Sequence, residues 1–467
     1  MVRRSVTRLQ VSGHRFLMRR MEYALACRDT RMLDDPIRNH TTAMAAGVVL
    51  AAIAVAVCAV LALLRPHGSL GADPVVMVRD SGAMYVRVGD TLHPVPNLAS
   101  ARLIAGTPAV PRLVSADAVA DADHGPLMGI VGAPGDIAAP LAPDQHAWTV
   151  CDDSGADGKA TTTMIIGPPV RLPDAPPVLV TAGQERTPGV YLLHAGRRAA
   201  VDLRDRAAVR ALHLDGMVPL KVSAALLDPL PESTPIVAPQ VPGAGDPGPP
   251  GLTDLRVGEV LRVPRAGEAD HYLVLADGVQ RVGQIAADLI RFADTHGGRE
   301  IPEVPADRIA SVPVLDTVPV TDLTDAAVAG ADFDGVLCTR WQWQRTGAAP
   351  HTAVLAPEAT PVSGRVLELA QGDGAGPAID AVAVPDGHSL YVRAAGVAGQ
   401  GVSTGPRHLI TGSGVAFGIA GPEAARALGL PQTPGVAPWP LIALLPRGPE
   451  LSAARATLVR DSIDAPG

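Results

Sequence analysis

Tyr85-Val-Arg-Val-Gly-Asp90-Thr-Leu92-His-Pro-Val95-Pro-Asn-Leu98-Ala99 is echoed later in the same chain by Tyr272-Leu-Val-Leu-Ala-Asp277-Gly-Val279-Gln-Arg-Val282-Gly-Gln-Ile285-Ala286. Tyr, Asp, the apolar positions and the closing Ala match without gaps at an offset of 187 residues. Cys151 and Cys338 stand the same 187 residues apart. The region around them therefore reads as two copies of one unit with a cysteine at the equivalent place in each. A bridge between equivalent positions lies on or near a pseudo-two-fold axis, because a self-complementary contact requires it.

A second pair marks the later part of each copy. Arg210-Ala-Leu212-His-Leu214 leads to Ala225-Leu226-Leu227, and Arg426-Ala-Leu428-Gly-Leu430 leads to Ala443-Leu444-Leu445. The spacing has grown, which predicts an insertion in the second copy around residues 345–405. Each part reads as short strands (YVRV, YLLHAG, HYLVLADG, HLITG) followed by a small helix (ASARLI, RAAVRAL, QIAADLIRF, PEAARAL). Modules this small cannot bury a sufficient core alone, so neighbours must complete them.

The expected fold is α+β, with four small β/α modules around a central disulfide-bearing domain of pseudo-two-fold symmetry. The modules fall at 66–110, 181–228, 252–298 and 386–467, the last including the C-terminal tail. The central domain is expected in two parts, 111–180 and 299–385. A proline-rich linker at 229–251 favours extended backbone over a packed element. The tail from Pro431 to Pro449 carries Trp439, Leu441, Ile442, Leu444 and Leu445 and is expected to pack as a strand. Aromatics are only 3% of the chain, so Trp148, Trp341, Trp343 and Trp439 are expected to supply much of its core area.

Upstream of the first copy, Ala43 to Leu64 is a run of 22 uncharged residues. As a helix it reaches roughly 33 Å, enough to cross a hydrocarbon core of about 30 Å. This assigns 1–40 to a cytoplasmic N-terminal helical segment and 41–65 to a single transmembrane helix. Nine arginines precede the run and only Arg65 follows closely, so the N-terminus is expected in the cytoplasm and the remainder outside. A signal peptide would have a shorter apolar region ending in a small-x-small site, and Leu64-Arg65-Pro66-His67 is not one. The first 40 residues hold nine arginines against four acids, leaving 30 basic and 43 acidic residues beyond them. An acidic outer domain lacks the basic clusters that nucleic acid binding needs.

Of the four cysteines, Cys27 falls on the cytoplasmic side and Cys58 in the span, neither with an obvious partner. Cys151 and Cys338 both lie outside, where oxidising conditions favour pairing; two separate buried thiols are the alternative. Between Ser12 and Arg28, Leu17, Met21, Ala24 and Leu25 recur at helical spacing, with Arg15, Arg19 and Glu22 elsewhere on the wheel. Such a helix either rests on anionic lipid, at about 1 kcal/mol per arginine, or docks on the helices of another subunit. The docking face then comprises His14, Arg15, Leu17, Arg19, Arg20, Met21 and Leu25.

Catalytic patterns are few. A phosphate-cradling loop needs G-x-x-x-x-G-K-[ST]. The chain has two lysines; Lys159 has Asp153 where the first glycine belongs, and Lys221 follows Leu220. Gly401-Val-Ser403-Thr-Gly405 matches a hydrolase elbow by letters, but the elbow needs a strand before it and a helix after, and neither is expected here. The 13 histidines, among them His93, His124, His146, His271 and His408, show no metal-ligand spacing. No catalytic residue, metal or cofactor is expected.

Gln10-Val-Ser-Gly-His14-Arg-Phe-Leu-Met-Arg-Arg20, then Arg28-Asp-Thr-Arg-Met-Leu-Asp-Asp-Pro36, one span and paired outer cysteines resembles the EccB component of the type VII (ESX) secretion system of mycobacteria. The resemblance runs from this block to the APWP…LLPRGPELS tail, and GADPVVMVRDSGAMYVRVGDTLHPVPNLASARLI is most similar to the branch associated with iron acquisition. It implies a core-complex subunit of the inner membrane. Its partners are then the EccC motor ATPase, EccD and EccE, with a second copy of itself in the periplasm. It also implies modules similar to a wall-binding phage lysin fold, which makes peptidoglycan a further partner. The family often carries an ATPase label, so ATP is implied by that label alone. The reading is a structural and assembly subunit; a periplasmic nucleotide hydrolase is the alternative.

Overall fold

The computed structural model describes residues 7–28, 36–64, 70–154, 160–182, 189–265, 269–293, 301–320, 327–344, 349–362, 364–374 and 376–462. The chain forms two compact units, residues 1–71 and 72–467.

The first unit is helical. In α1 (Arg8–Cys27) the Thr7 amide donates to Gln10 Oε1 at 3.1 Å, satisfying one donor at the helix entrance. The helix ends at Arg28, which takes a left-handed conformation (φ 55°) and returns its N–H to the Ala24 carbonyl. Asp34 and Asp35 lie outside the described residues. α2 (Pro36–Leu64) starts on a proline, tolerated because the first turn has no use for its missing N–H. It contains Thr41–Leu61, of mean hydropathy 2.8.

The second unit is mixed α and β. β1 (Val75–Val78), β2 (Met84–Val88) and β3 (Thr91–Val95) form an antiparallel meander, α3 (Leu98–Ala105) follows, and β4 (Arg112–Val114) returns parallel to β1. α4 (Ala116–Ala120) then leads to β5 (Leu127–Met128), β6 (Ala139–Pro140), β7 (Ala147–Asp153) and β8 (Thr161–Gly167). A second small sheet repeats the first order: β9 (Val178–Ala182), β10 (Val190–His194), β11 (Arg197–Ala200), α5 (Arg206–Ala211), β12 (Leu220–Val222) and α6 (Ala224–Leu227).

The third comprises β13 (Val260–Pro264), β14 (Ala269–Leu275), β15 (Gly278–Val282), α7 (Gln284–Ala293) and α8 (Ala306–Ala310). Its return segment pairs with β13 at Arg262, which bonds Pro302 and Val304, with a parallel bridge to Glu303. β16 (Val336–Trp343), β17 (Pro350–Leu355), β18 (Val366–Glu368) and β19 (Ala381–Ala383) join β7 and β8 in a central sheet of order β17-β16-β7-β8-β19-β18. The fourth small sheet has β20 (His388–Ala395), β21 (Arg407–Ile410), β22 (Ala416–Ile419), α9 (Pro422–Leu428), β23 (Gly435–Pro438) and α10 (Trp439–Leu444). α11 (Ala453–Ala456) and β24 (Val459–Arg460) close the chain, β24 pairing with β5.

Local chemistry explains the helix ends. Asn97, Ser115, Asp205, Ser223 and Ser452 cap α3, α4, α5, α6 and α11 through side-chain oxygens that accept backbone N–H groups. α9 begins at Pro422 and ends at Gly429, whose φ of 84° suits a residue without Cβ.

The core is shared between distant parts of the sequence. α5 packs on α7, merging Leu212 and Leu214 with Ile285 and Leu289 in one cluster. α3 packs on α9 and α11, merging Leu103 with Leu428, Leu451 and Ala456. The first small sheet is thus completed by the fourth, and the second by the third. Between β7 and β16 the antiparallel register sets Cys151 opposite Cys338 and Trp148 opposite Trp341. A disulfide joins the cysteines, with Cα atoms 4.0 Å apart. The two tryptophans lie together in the largest cluster, with Leu441 and Ile442 of α10.

Several expectations need correction. The tail does not pack as a single strand: β23 ends at Pro438 and Trp439–Leu444 is helical, started by prolines that fit a first turn. Trp439 is 42% exposed and not core, whereas Trp148 and Trp341 are fully buried. The 229–251 stretch is no free spacer, since Leu230 and Ile236 are buried and it lies along β11. Proline suits that outer edge, where no N–H is owed to a further strand; Pro231 accepts from Arg198 there, as Pro313 does from Val279 and Pro446 from Ala416. β4 and the strand-like residues around Glu303 fall in stretches assigned above to the central domain, yet they complete the first and third small sheets. Return strands of about three residues carry no readable periodicity. Between β17 and β20, where the sequence placed an insertion, β18 and β19 extend the central sheet beyond β8.

Candidate functional site

The seven residues singled out for docking all lie on α1. His14, Arg15, Leu17, Arg19, Arg20, Met21 and Leu25 are all exposed. Leu17, Met21 and Leu25 follow at i, i+4 and i+8, so they share one face; Phe16, Met18 and Leu9 add further exposed apolar surface. Arg8, Arg15 and Arg19 fall on the opposite side of the helical wheel, with Arg20 beside the apolar face and His14 within it. On α2, Val48, Val49, Leu50, Ile53, Val55, Val57, Val60 and Leu61 are likewise exposed, and Cys58 is a free exposed thiol. A helix apolar all round suits lipid better than water.

The second site is the middle of the central sheet. Cys151 and Cys338 are fully buried on one face with Val336, Leu355 and the partly buried Ile165. On the other face Asp152 accepts from the Ser223 N–H at 2.7 Å, the Ser223 hydroxyl at 2.8 Å and the Thr162 hydroxyl at 2.9 Å. Burial raises its carboxyl above the usual range; these hydrogen bonds pull the other way, and nearby Asp380 adds to the rise. The residue that caps α6 is thereby tied to β7 beside the disulfide. Sequence reading missed this link, because a Ser and an Asp 71 positions apart give no local signal.

A cleft of about 410 Å³ opens between β10, the turn at Ala195 and Gly196, and β17. Its walls include apolar Leu192, Leu212, Ile285 and Val354, with His194, His351 and Asp174 as polar groups. Burial, with the charge of Arg197, lowers the His194 pKa. Among the described residues no Lys, Arg, Ser or Cys lines it. Beside it, Gly196 (φ 72°) touches β17, and a Cβ there would fall 2.0 Å from the Thr352 carbonyl oxygen. The Thr352 hydroxyl donates to the Gly196 carbonyl at 2.7 Å. Gly196→Ala is expected to cost more than about 2 kcal/mol, since the backbone conformation alone accounts for about 1–2. Urea unfolding of the variant checks this, and an unchanged midpoint contradicts the contact.

Ser403 lies in a run of turns between β20 and β21, without the strand–Ser–helix context of a nucleophile elbow. Lys221 is exposed on β12 and Lys159 lies outside the described residues. Among the described residues no group of three or more His, Cys, Asp or Glu is arranged to hold a metal ion.

The family described as type VII secretion system ESX-1, transport TM domain B, matches residues 3–465. The chain is 35% identical over 483 residues to the ESX-3 secretion system ATPase EccB3 of Mycolicibacterium smegmatis, covering 98% of this chain and 91% of that protein. It is 35% identical over 481 residues to the ESX-2 secretion system ATPase EccB2 of Mycobacterium tuberculosis, covering 98% and 96%. These equal identities do not single out the iron-associated branch. Among solved structures, a chain of an intact ESX-5 inner membrane complex superposes with a TM-score of 0.72 at 30% identity, covering 100% of this chain and 98% of that one. The EccB3 dimer from the ESX-3 core complex gives 0.72 at 30% identity, covering 83% and 100%.

Proposed function

The chain belongs to the EccB family of type VII (ESX) secretion systems, and from that premise we propose how it serves as an assembly subunit of the inner membrane complex. α2 anchors it by a single span. The arginines ahead of α2 keep α1 in the cytoplasm, and residues beyond about 70 stand in the periplasm. In the cytoplasm the apolar face of α1 docks on helices of the other core components, the EccC motor ATPase, EccD and EccE, with its arginines toward their acidic groups or the anionic leaflet. The outer unit pairs with a second copy, in keeping with the relative solved as an EccB3 dimer.

The outer unit is read as an internal duplication. The 187-residue offset, the shared strand order of the small sheets and the β7–β16 register centred on the disulfide support this. A pseudo-two-fold through the Cys151–Cys338 bond then exchanges the first sheet with the third and the second with the fourth. It also exchanges the α3–α9 contact with α7–α5, so each packed pair takes one member from each half. The duplicated, interlocked body is a scaffold rather than a catalyst. Peptidoglycan is a further ligand compatible with this role.

The observation that carries the reading is the joining of an arginine-rich helix, one apolar helix and a large disulfide-bridged unit in a chain matched end to end by a subunit of an ESX inner membrane complex. Nucleotide hydrolysis is the second reading, favoured by the word ATPase in the relatives' names. Extraction of the tagged full chain in detergent tests both. The expected result is co-purification of the other core components, lost in Leu17→Asp with Met21→Asp, and no ATP turnover by the purified chain. Turnover that disappears on replacing Lys159 and Lys221 supports the second reading and contradicts the first.

A further inference from the structure

We propose that Trp439, with Arg447 and His408 against it, is the anchor through which the outer units of two copies of this chain associate; this rests on the self-association proposed above. Trp439 is 42% exposed, whereas Trp148 and Trp341 are fully buried. It is also rigidly presented. Pro438 precedes it, and a second proline occupies the first turn of α10 immediately after, so the backbone on both sides has little freedom. The Arg447 guanidinium lies 5.6 Å from the ring centroid, and the His408 ring lies 5.8 Å away at 41°. An aromatic ring already held in place loses little conformational entropy when it is buried by a partner. Exposed Trp beside Arg is the composition of interface hot spots.

Charge narrows the partner. Among the described residues no carboxylate pairs with Arg447. Beyond residue 40 the chain carries 43 acidic residues against 30 basic, so a cationic, aromatic spot on a net acidic body finds its complement on another copy of that body. A relative spanning 83% of this chain is solved as a dimer. A glycan strand of the cell wall, which also stacks on exposed tryptophan, is the other occupant to separate.

The experiment compares the full chain in detergent with Trp439→Ala, Arg447→Glu and, as a control on a different exposed apolar residue, Val110→Ala, by mass photometry over a concentration series. Thermal melting of each variant checks folding. Trp439→Ala and Arg447→Glu are expected to weaken dimerisation about 30-fold or more, the scale of a hot spot, with the control unchanged. Arg447→Glu carries the test if Trp439→Ala melts early. A dimeric wild type whose dimerisation neither variant weakens overturns the inference and leaves the self-association reading standing. A monomeric wild type overturns both. Unchanged dimerisation with lost retention of Trp439→Ala on peptidoglycan sacculi overturns the inference and assigns the tryptophan to the wall.

Discussion

Replacing Cys151 and Cys338 together by serine is expected to lower the stability of the outer unit by about 2–5 kcal/mol. The bond closes a loop spanning a sequence separation of 187 residues. In the chain-entropy treatment, removing a link of that length frees the unfolded chain by about 5 kcal/mol, and measured losses run from that value downward. The folded state changes less. Both side chains are fully buried opposite one another, and two serine hydroxyls in their place can bond to each other. The paired helices α3–α9 and α5–α7 also remain, so the variant is expected to fold and to unfold at a lower urea midpoint. Reduction of the wild-type protein should move its midpoint to the same place. Equal midpoints for variant and oxidised wild type contradict the role assigned to the link.

His146→Gln is expected to flatten the acid side of the stability profile, by about 3 kcal/mol between pH 7 and pH 4. His146 is buried where β7 begins, so close to Gly435 of β23 that a Cβ on that glycine would fall 2.4 Å from its Nε2. Burial holds its pKa down at about 4, against a smaller opposing pull from Asp144. The unfolded chain takes up that proton near pH 6.5, while the folded chain resists until near 4. Stability is therefore full above pH 6.5 and falls as the pH drops toward 4. The raised carboxyl of Asp152 acts in the opposite sense, since a folded pKa above the unfolded one stabilises toward acid. The difference between variant and wild type isolates the histidine. A constant difference from pH 7 to 4 in urea titrations contradicts this account.

The elements that sequence made legible are those with a period or a repeated spacing. The strands around Tyr85, Leu192, Tyr272 and Leu409 and the helices at 98–105, 206–211, 284–293 and 422–428 all declared themselves. The bridge between Cys151 and Cys338 was reachable because both cysteines follow the span at the repeat offset. The partnering of α5 with α7 and of α3 with α9 was not. A short amphipathic helix reveals its apolar face but not which distant helix covers it. The proline-rich edges were misread for a related reason: proline argues against a central strand, and says nothing against lying alongside an outer one. Large aromatics are usually core, and only the position of α10 shows the ring of Trp439 outside.

The most direct test of the account is protease shaving of intact spheroplasts carrying the full chain, tagged at its N-terminus, with the surviving fragments mapped by mass spectrometry. A scaffold tethered by α2 predicts that residues beyond about 70 are digested while the tag and α1 survive with the membrane. Survival of the large unit, or loss of the tag before lysis, contradicts it.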